Sequence, residues 1–259
     1  LIYPILVLLV GLTLYLFYPS KNNQNTTNDS FIKTNAFDYL PTSTTGNIIK
    51  HKYYTLSYNE KYEQAEWVAY VLTKEQLSSI NRKRPYFIQD IKVKTKSADY
   101  RNYKNSGYNK GHLCPAADRK FSEDAYNETF LTSNISPQRN DFNAGIWNKL
   151  EQKVRYWASK DRKLYVVTGG ILTTNLQTIG KERVAVPKFY YKILLDYSEP
   201  EIKAIAFLIP HKKSNEPLYN FVTSIDDIET KTSIDFFSAL PDTLENKLEA
   251  SSNYKNWIF

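Results

Sequence analysis

Methionine is absent from the 259 residues, and cysteine occurs once, at Cys114. A single cysteine excludes an intramolecular disulfide and any thiolate metal cluster. Histidine is also scarce, and the wide separation of His51, His112 and His211 argues against a structural zinc site. No internal repeat is visible, and long helical patterns are few. Cys114 lies in an apolar run and is expected to pack as a small hydrophobe.

What is present is positive charge. Lys and Arg number 34 against 27 Asp and Glu, a formal net charge of +7. Before residue 49, Lys21 and Lys33 balance Asp29 and Asp38, so the whole excess lies downstream. Such a domain suits a polyanionic partner or an anionic membrane surface. Residues 1–18 are almost entirely apolar. They approach the roughly 20 residues that span a bilayer, and no A-x-A cleavage site follows. A transmembrane signal anchor, or an uncleaved signal, is therefore expected at 1–18. A flexible polar linker rich in Asn, Thr and Ser is expected at 19–48, and a single domain at 49–259.

Strands are expected at 53–58, 66–72, 111–115, 129–135 and 164–168, with an antiparallel hairpin over 189–197 and 202–209. Helical turns are expected at 74–80 and at 122–127 behind Ser122. Asp141 should cap a helix of about 142–158, and shorter helices should cover 224–231 and 244–250. Strand runs dominate, which predicts an α+β domain with a mainly antiparallel sheet, preceded by one N-terminal hydrophobic helix.

The chemistry concentrates between Gly107 and Arg155. On the helix expected there, Asn143, Trp147, Glu151 and Arg155 recur every four residues and share a face, while Ile146, Leu150 and Val154 form an apolar stripe. Asn143 and Glu151 stand roughly 12 Å apart along such a helix, a gap that a hydrated Mg²⁺ could bridge and a bare ion could not. The same face also fits a solvated surface with an ordinary Glu151–Arg155 pair. His112 suits proton transfer near neutrality, and equally suits a structural role.

The run Asn109-Lys110-Gly111-His112-Leu113-Cys114-Pro115 resembles the Asp-Arg-Gly-His hallmark of the DNA/RNA non-specific endonucleases, the ββα-metal nucleases. Asn134 to Gln138 matches the family's Asn-aliphatic-Ser/Thr-Pro-Gln, and Asn143, Trp147, Glu151 and Arg155 match its helix. Asn109 and Lys110 depart from the hallmark Asp and Arg.

The resemblance implies a strand–strand–helix metal unit in which a His-activated water cleaves DNA and RNA, leaving 5′-phosphate ends. It assigns His112 as general base, Asn134 to positioning, and Glu151 and Arg155 to the catalytic set. It makes Asn143 the direct ligand of Mg²⁺, with Mn²⁺ as a substitute, and places Glu151 in the metal's outer shell through water. Arg84, Lys110 and Arg155 would hold substrate phosphate, with Arg82 as an alternative to Arg84. A nuclease of this kind is dangerous to its own cell. The apolar segment therefore predicts a membrane-anchored, periplasmic or extracellular domain, secreted if 1–18 is cleaved. A homodimer is left open. The competing readings are a degenerate nucleic-acid binder and a membrane-tethered basic adaptor.

Overall fold

In a computed structural model, residues 37–161 and 163–259 are described; the expected anchor at 1–18 and most of the linker lie outside them. A compact body runs from Tyr39 to Phe259. Its centre is a seven-stranded sheet built from β1 (Ile48–Lys50), β2 (Thr55–Asn59), β3 (Gln64–Thr73), β6 (Lys163–Gly170), β9 (Phe189–Asp196), β10 (Lys203–Pro210) and β11 (Val222–Thr223), while β7 (Thr178–Ile179) and β8 (Val184–Ala185) pair only with each other. The seven lie side by side in that order, and every pair is antiparallel. The fold is thus α+β with a mainly antiparallel sheet, as the sequence predicts.

The sheet is covered on both sides, which explains why β9 and β10 read as continuous apolar runs rather than alternating ones. On β9, Tyr190 and Leu194 join the core cluster that includes Leu150, Val154 and Trp157 of the long helix α2 (Asn148–Asp161). Tyr191, one residue out of phase, packs instead on Phe236 at 5.7 Å. Strand alternation therefore sends Tyr190, Lys192 and Leu194 towards α2, and Tyr191 towards the opposite layer. That layer contains helices α3 (Ile225–Thr232) and α4 (Asp242–Glu249). Ser224 caps α3 by accepting from the Asp227 amide at 3.1 Å, and acidic residues follow in its first turn.

Beside the sheet runs a two-stranded ribbon of β4 (Asn109–His112) and β5 (Ile135–Gln138), with Gly111 opposite Ser136 and His112 opposite Ile135. Gly111 is required there, because a Cβ would collide with the Gln138 side chain. The Tyr190 hydroxyl donates to the Pro137 carbonyl at 2.6 Å, and Ser136 Oγ donates to Gln64 Oε1 at 2.6 Å. These bonds pin the ribbon to the main sheet.

The structure departs from expectation at five places in and around this unit, the first being that the strand expected at 111–115 lies at Asn109–His112 and ends before the apolar Leu113 and Cys114. The strand expected at 129–135 is a helix end and a 3-10 turn (Thr132–Asn134), and the true strand starts at Ile135. Here the Thr129 and Asn134 side chains bond backbone groups and compete with a ladder. Asp141 does not cap the helix: the first turn starts at Asn140, and Asp141 pairs with Arg139 at 3.0 Å. The expected uninterrupted helix contains a π turn over Asn143–Trp147, with Gly145 at φ −96°, ψ −113°. The π turn breaks the four-residue step, so Trp147 is fully buried and stacks on Phe142 at 5.5 Å instead of sharing a polar face. The apolar stripe of Ile146, Leu150 and Val154 is buried as predicted. Ser122 begins helix α1 (Glu123–Glu128), but its side chain makes no capping bond.

Candidate active site

The ribbon places His112 against an aromatic wall. Its ring lies 5.0 Å from Phe130 and 5.6 Å from Phe87, and Nε2 is enclosed without a hydrogen-bond partner. Burial, with help from the Arg84 charge, pushes its pKa down to about 3, so the imidazole is neutral at pH 7.

Two cations share that wall. The Arg84 guanidinium sits 5.2 Å from the Phe87 centroid and 5.7 Å from that of Phe130. Lys110 Nζ lies 5.4 Å from Phe87 and 5.9 Å from Tyr103. Burial and the Arg84 charge lower the Lys110 pKa, as expected where two cations crowd one concave surface. Arg82, the sequence alternative to Arg84, is engaged elsewhere: its Nε donates to the Lys120 carbonyl at 2.6 Å. Asn109, one of the two departures, donates to Asn140 Oδ1 at 3.0 Å and so ties β4 to the start of the helix.

Asn134 is fully buried and spends its amide on the backbone. Oδ1 accepts from the Cys114 amide at 2.8 Å, and Nδ2 donates to the carbonyls of Cys114 at 3.0 Å and Thr129 at 2.9 Å. Both Nδ2 hydrogens are used, so the side chain positions the loop that follows His112 and has no donor left for a substrate. Cys114 is buried, and burial raises its thiol pKa to about 12, which leaves it inert.

The helix supplies the second half of the site. Asn143 stands at the π turn, partly exposed, with no side-chain hydrogen bond to any described residue. Glu151, on α2, likewise makes no hydrogen bond among the described residues. Burial raises its pKa to about 7, opposed by the positive charge of Lys192. Arg155 does not stand free: its Nη1 donates to Asp118 Oδ1 at 2.8 Å. The Asp118 carboxylate is 1% exposed, and Oδ2 accepts from the Tyr70 hydroxyl at 2.9 Å.

Asp118 and Lys192 are the groups that motif reading overlooks. Lys192 is fully buried, with Nζ unpartnered 5.0 Å from the Trp147 ring centroid and its charge felt at Glu151. Its signal is legible afterwards: a single Lys inside the run Tyr190 to Leu195, which otherwise reads as a buried strand. Behind β5, Asp90 accepts from Ser133 Oγ at 2.6 Å and pairs with His51 Nε2 at 2.7 Å. His51 Nδ1 in turn lies 3.6 Å from Glu128.

The model of the DNA/RNA non-specific endonucleases matches residues 33–243. Mitochondrial nuclease EXOG of Danio rerio is 36% identical over 209 residues, covering 73% of this chain and 61% of that protein. Mitochondrial endonuclease G of Homo sapiens is 31% identical over 201 residues, covering 71% of this chain and 67% of that protein. A crystal structure of the EndoG/EndoGI complex superposes with a TM-score of 0.71 at 27% identity, over 76% of this chain and 87% of the solved one. The chain spans about three fifths of the length of EXOG from Danio rerio. It belongs to the DNA/RNA non-specific endonuclease family.

The expected localisation is corrected by these relatives. Several are named as mitochondrial nucleases, and among the described residues no helix is long and apolar enough to cross a membrane. This overturns the reading of a membrane-anchored, periplasmic or extracellular domain. That reading rested on residues 1–18, which lie outside the described residues, and apolar length alone does not distinguish an anchor from other targeting segments.

Proposed function

We propose that this member of the DNA/RNA non-specific endonuclease family is a Mg²⁺-dependent nuclease that hydrolyses phosphodiester bonds in DNA and RNA. The observation that carries the reading is His112: a neutral imidazole whose Nε2 has no partner among the described residues, on an aromatic wall shared with Arg84 and Lys110.

The donor set fits a hard divalent cation. Asn143 offers an uncommitted amide oxygen, and Glu151 offers carboxylate oxygens without hydrogen-bond partners, both of the class that Mg²⁺ prefers. Asn143 would hold the ion directly and Glu151 through water. Mn²⁺, of similar preference, would substitute. When bound, the ion supplies charge to the phosphate and to the leaving oxygen.

The chain's own groups do the rest. His112 takes a proton from a water as the water oxygen bonds to phosphorus. The P–O3′ bond breaks, O3′ leaves as an alkoxide that takes a proton from solvent water, and the phosphate stays on the 5′ end. No 2′-hydroxyl is consumed, so DNA and RNA are both substrates. An arriving phosphate places negative charge beside the imidazole and raises its pKa from about 3 towards the working range. Arg84 and Lys110 receive the phosphate, and Asp118 holds Arg155 in place to join them. Asn134 fixes the backbone after His112.

Cleavage of plasmid and of RNA, with Mg²⁺ or Mn²⁺ and with chelator, tests the reading. His112→Ala should lose about 10²–10⁴-fold in rate, the range of a removed general base, and Asn143→Ala should lose the metal dependence of cleavage along with most of the rate. A parent protein that binds DNA but cuts neither substrate with either ion would make the chain a degenerate binder.

A further inference from the structure

Away from the ribbon, in the layer on the other side of the sheet, five carboxylates converge. Asp226 and Glu229 lie on α3, Asp235 on the loop that follows it, and Glu245 and Glu249 on α4. Carboxylate oxygens of Asp226, Glu229 and Glu249 lie within 4.8 Å of one another, as do those of Asp235, Glu245 and Glu249. Glu249 is the shared member and the anomalous one. It is 6% exposed, and its Oε1 is enclosed with no hydrogen-bond partner. Glu229 Oε1 accepts from the Phe236 amide at 2.8 Å, which fixes its carboxylate from the loop side. Among the described residues no Lys, Arg or His forms an ion pair with any of the five, although the chain carries +7 overall. The nearest salt bridge on α3, Lys231 to Asp227, uses a different carboxylate.

A buried carboxylate oxygen without a partner is costly, and four further carboxylates around it raise the cost. Desolvation first, then these neighbours, push Glu249 up to about 8. Without a cation the cluster is relieved only by a proton on Glu249, and among the described residues no basic side chain pairs with it. We propose that Asp226, Glu229, Asp235, Glu245 and Glu249 form a calcium-class cation site that clamps α4 to α3 and their connecting loop. The all-oxygen donor set suits a hard cation. The irregular spacing of ligands from two helices and a loop suits Ca²⁺, which accepts six to eight oxygens in flexible geometry, better than Mg²⁺, which demands a near-ideal octahedron. The site is separate from the proposed nuclease centre. Phe236, beside Asp235, packs on Tyr191, whose side chain points away from the α2 face that holds Glu151.

The test is thermal unfolding of the full chain after chelation, with Ca²⁺ or Mg²⁺ added back, together with calorimetric titration of Ca²⁺. Ca²⁺ at about a hundredfold above its Kd should raise Tm by roughly 5–10 °C, and Mg²⁺ at equal concentration should raise it less. Glu249→Gln should abolish the Ca²⁺ shift while unfolding no earlier than the parent in chelator, since it removes repulsion. The exposed pair Asp226→Asn with Asp235→Asn provides the same loss if Glu249→Gln does not fold. Asn143→Ala should keep the shift in full, which distinguishes this site from the nuclease centre. No Ca²⁺ shift in the parent, an undiminished shift in Glu249→Gln, or loss of the shift in Asn143→Ala would each overturn the proposal.

Discussion

Asn134→Ala separates positioning from chemistry at the residue where they are most easily confused. The amide makes three hydrogen bonds of 2.8–3.0 Å to backbone groups and is fully buried. Truncation leaves the Cys114 N–H and two carbonyls without that partner, in a place too enclosed for water to replace it. At about 1–3 kcal/mol for an unsatisfied N–H, and less for each carbonyl, the loss is about 3–5 kcal/mol. That is about a fifth or more of the stability of an ordinary domain. For a chain of this size it should lower Tm by roughly 6–20 °C. Asn134→Asp should be no better: it keeps an acceptor for Cys114 but turns a carboxylate on two carbonyl oxygens. The assay is urea and thermal unfolding without metal, run beside cleavage at a temperature where the variant remains folded. If Asn134→Ala stays within about 1 kcal/mol of the parent yet loses a hundredfold or more in cleavage, the amide acts on substrate and the clamp argument fails.

Gly111→Ala should cost about 1–3 kcal/mol and slow cleavage, because the new methyl displaces the Gln138 side chain and moves the strand carrying His112; urea midpoints and cleavage rates check both. The His51 network should shape stability against pH. Burial works to lower the His51 pKa, yet bonds and charge from Asp90 and Glu128 leave it raised above 6.5. Its contribution is therefore complete below pH 6.5 and lost as pH rises through the raised value. Asp90 and Glu128, lowered from 3.8 and 4.5, contribute above those values and fade as pH falls. The parent's advantage over His51→Gln in urea unfolding should thus peak between about pH 4.5 and 6.5; a flat difference across pH 4–8 would contradict it. Lys110→Arg should cleave as fast as the parent or faster, since a planar fork suits phosphate better than a point charge; single-turnover cleavage decides this.

The site was legible in part. The spacing of His112, Asn134, Asn143 and Glu151 carried the family, and the apolar stripe of Ile146, Leu150 and Val154 marked the core face correctly. The antiparallel hairpin of β9 and β10 also lies within a residue of its expected bounds. What escaped was whatever depends on tertiary partners. Asp118 precedes no recognisable pattern, yet it captures Arg155. Lys192 is hidden in a strand whose apolar run disguises one buried charge. The start of β5 was missed because Asn134 and Thr129 turn their side chains onto the backbone, a choice that strand propensity cannot foresee. The π turn escaped because a four-residue periodicity has no way to register one additional residue.

That additional residue has a consequence of its own. An α-helix interrupted by a π turn is a regular helix with one residue to spare, so the interruption can be undone by a single deletion. Removing Gly145, the residue of the turn whose backbone angles are non-helical, would let the segment from Asn140 onward close into one continuous helix. Everything before the cut would then rotate by about 100° and advance about 1.5 Å relative to Glu151. Asn143 would swing off the side it now faces while α2 and its buried stripe stayed in register with the sheet. The orientation of the Asn143 amide, the proposed metal ligand, is thus set by chain length at one point, and a one-residue indel there would redirect it without altering any other residue proposed for the site.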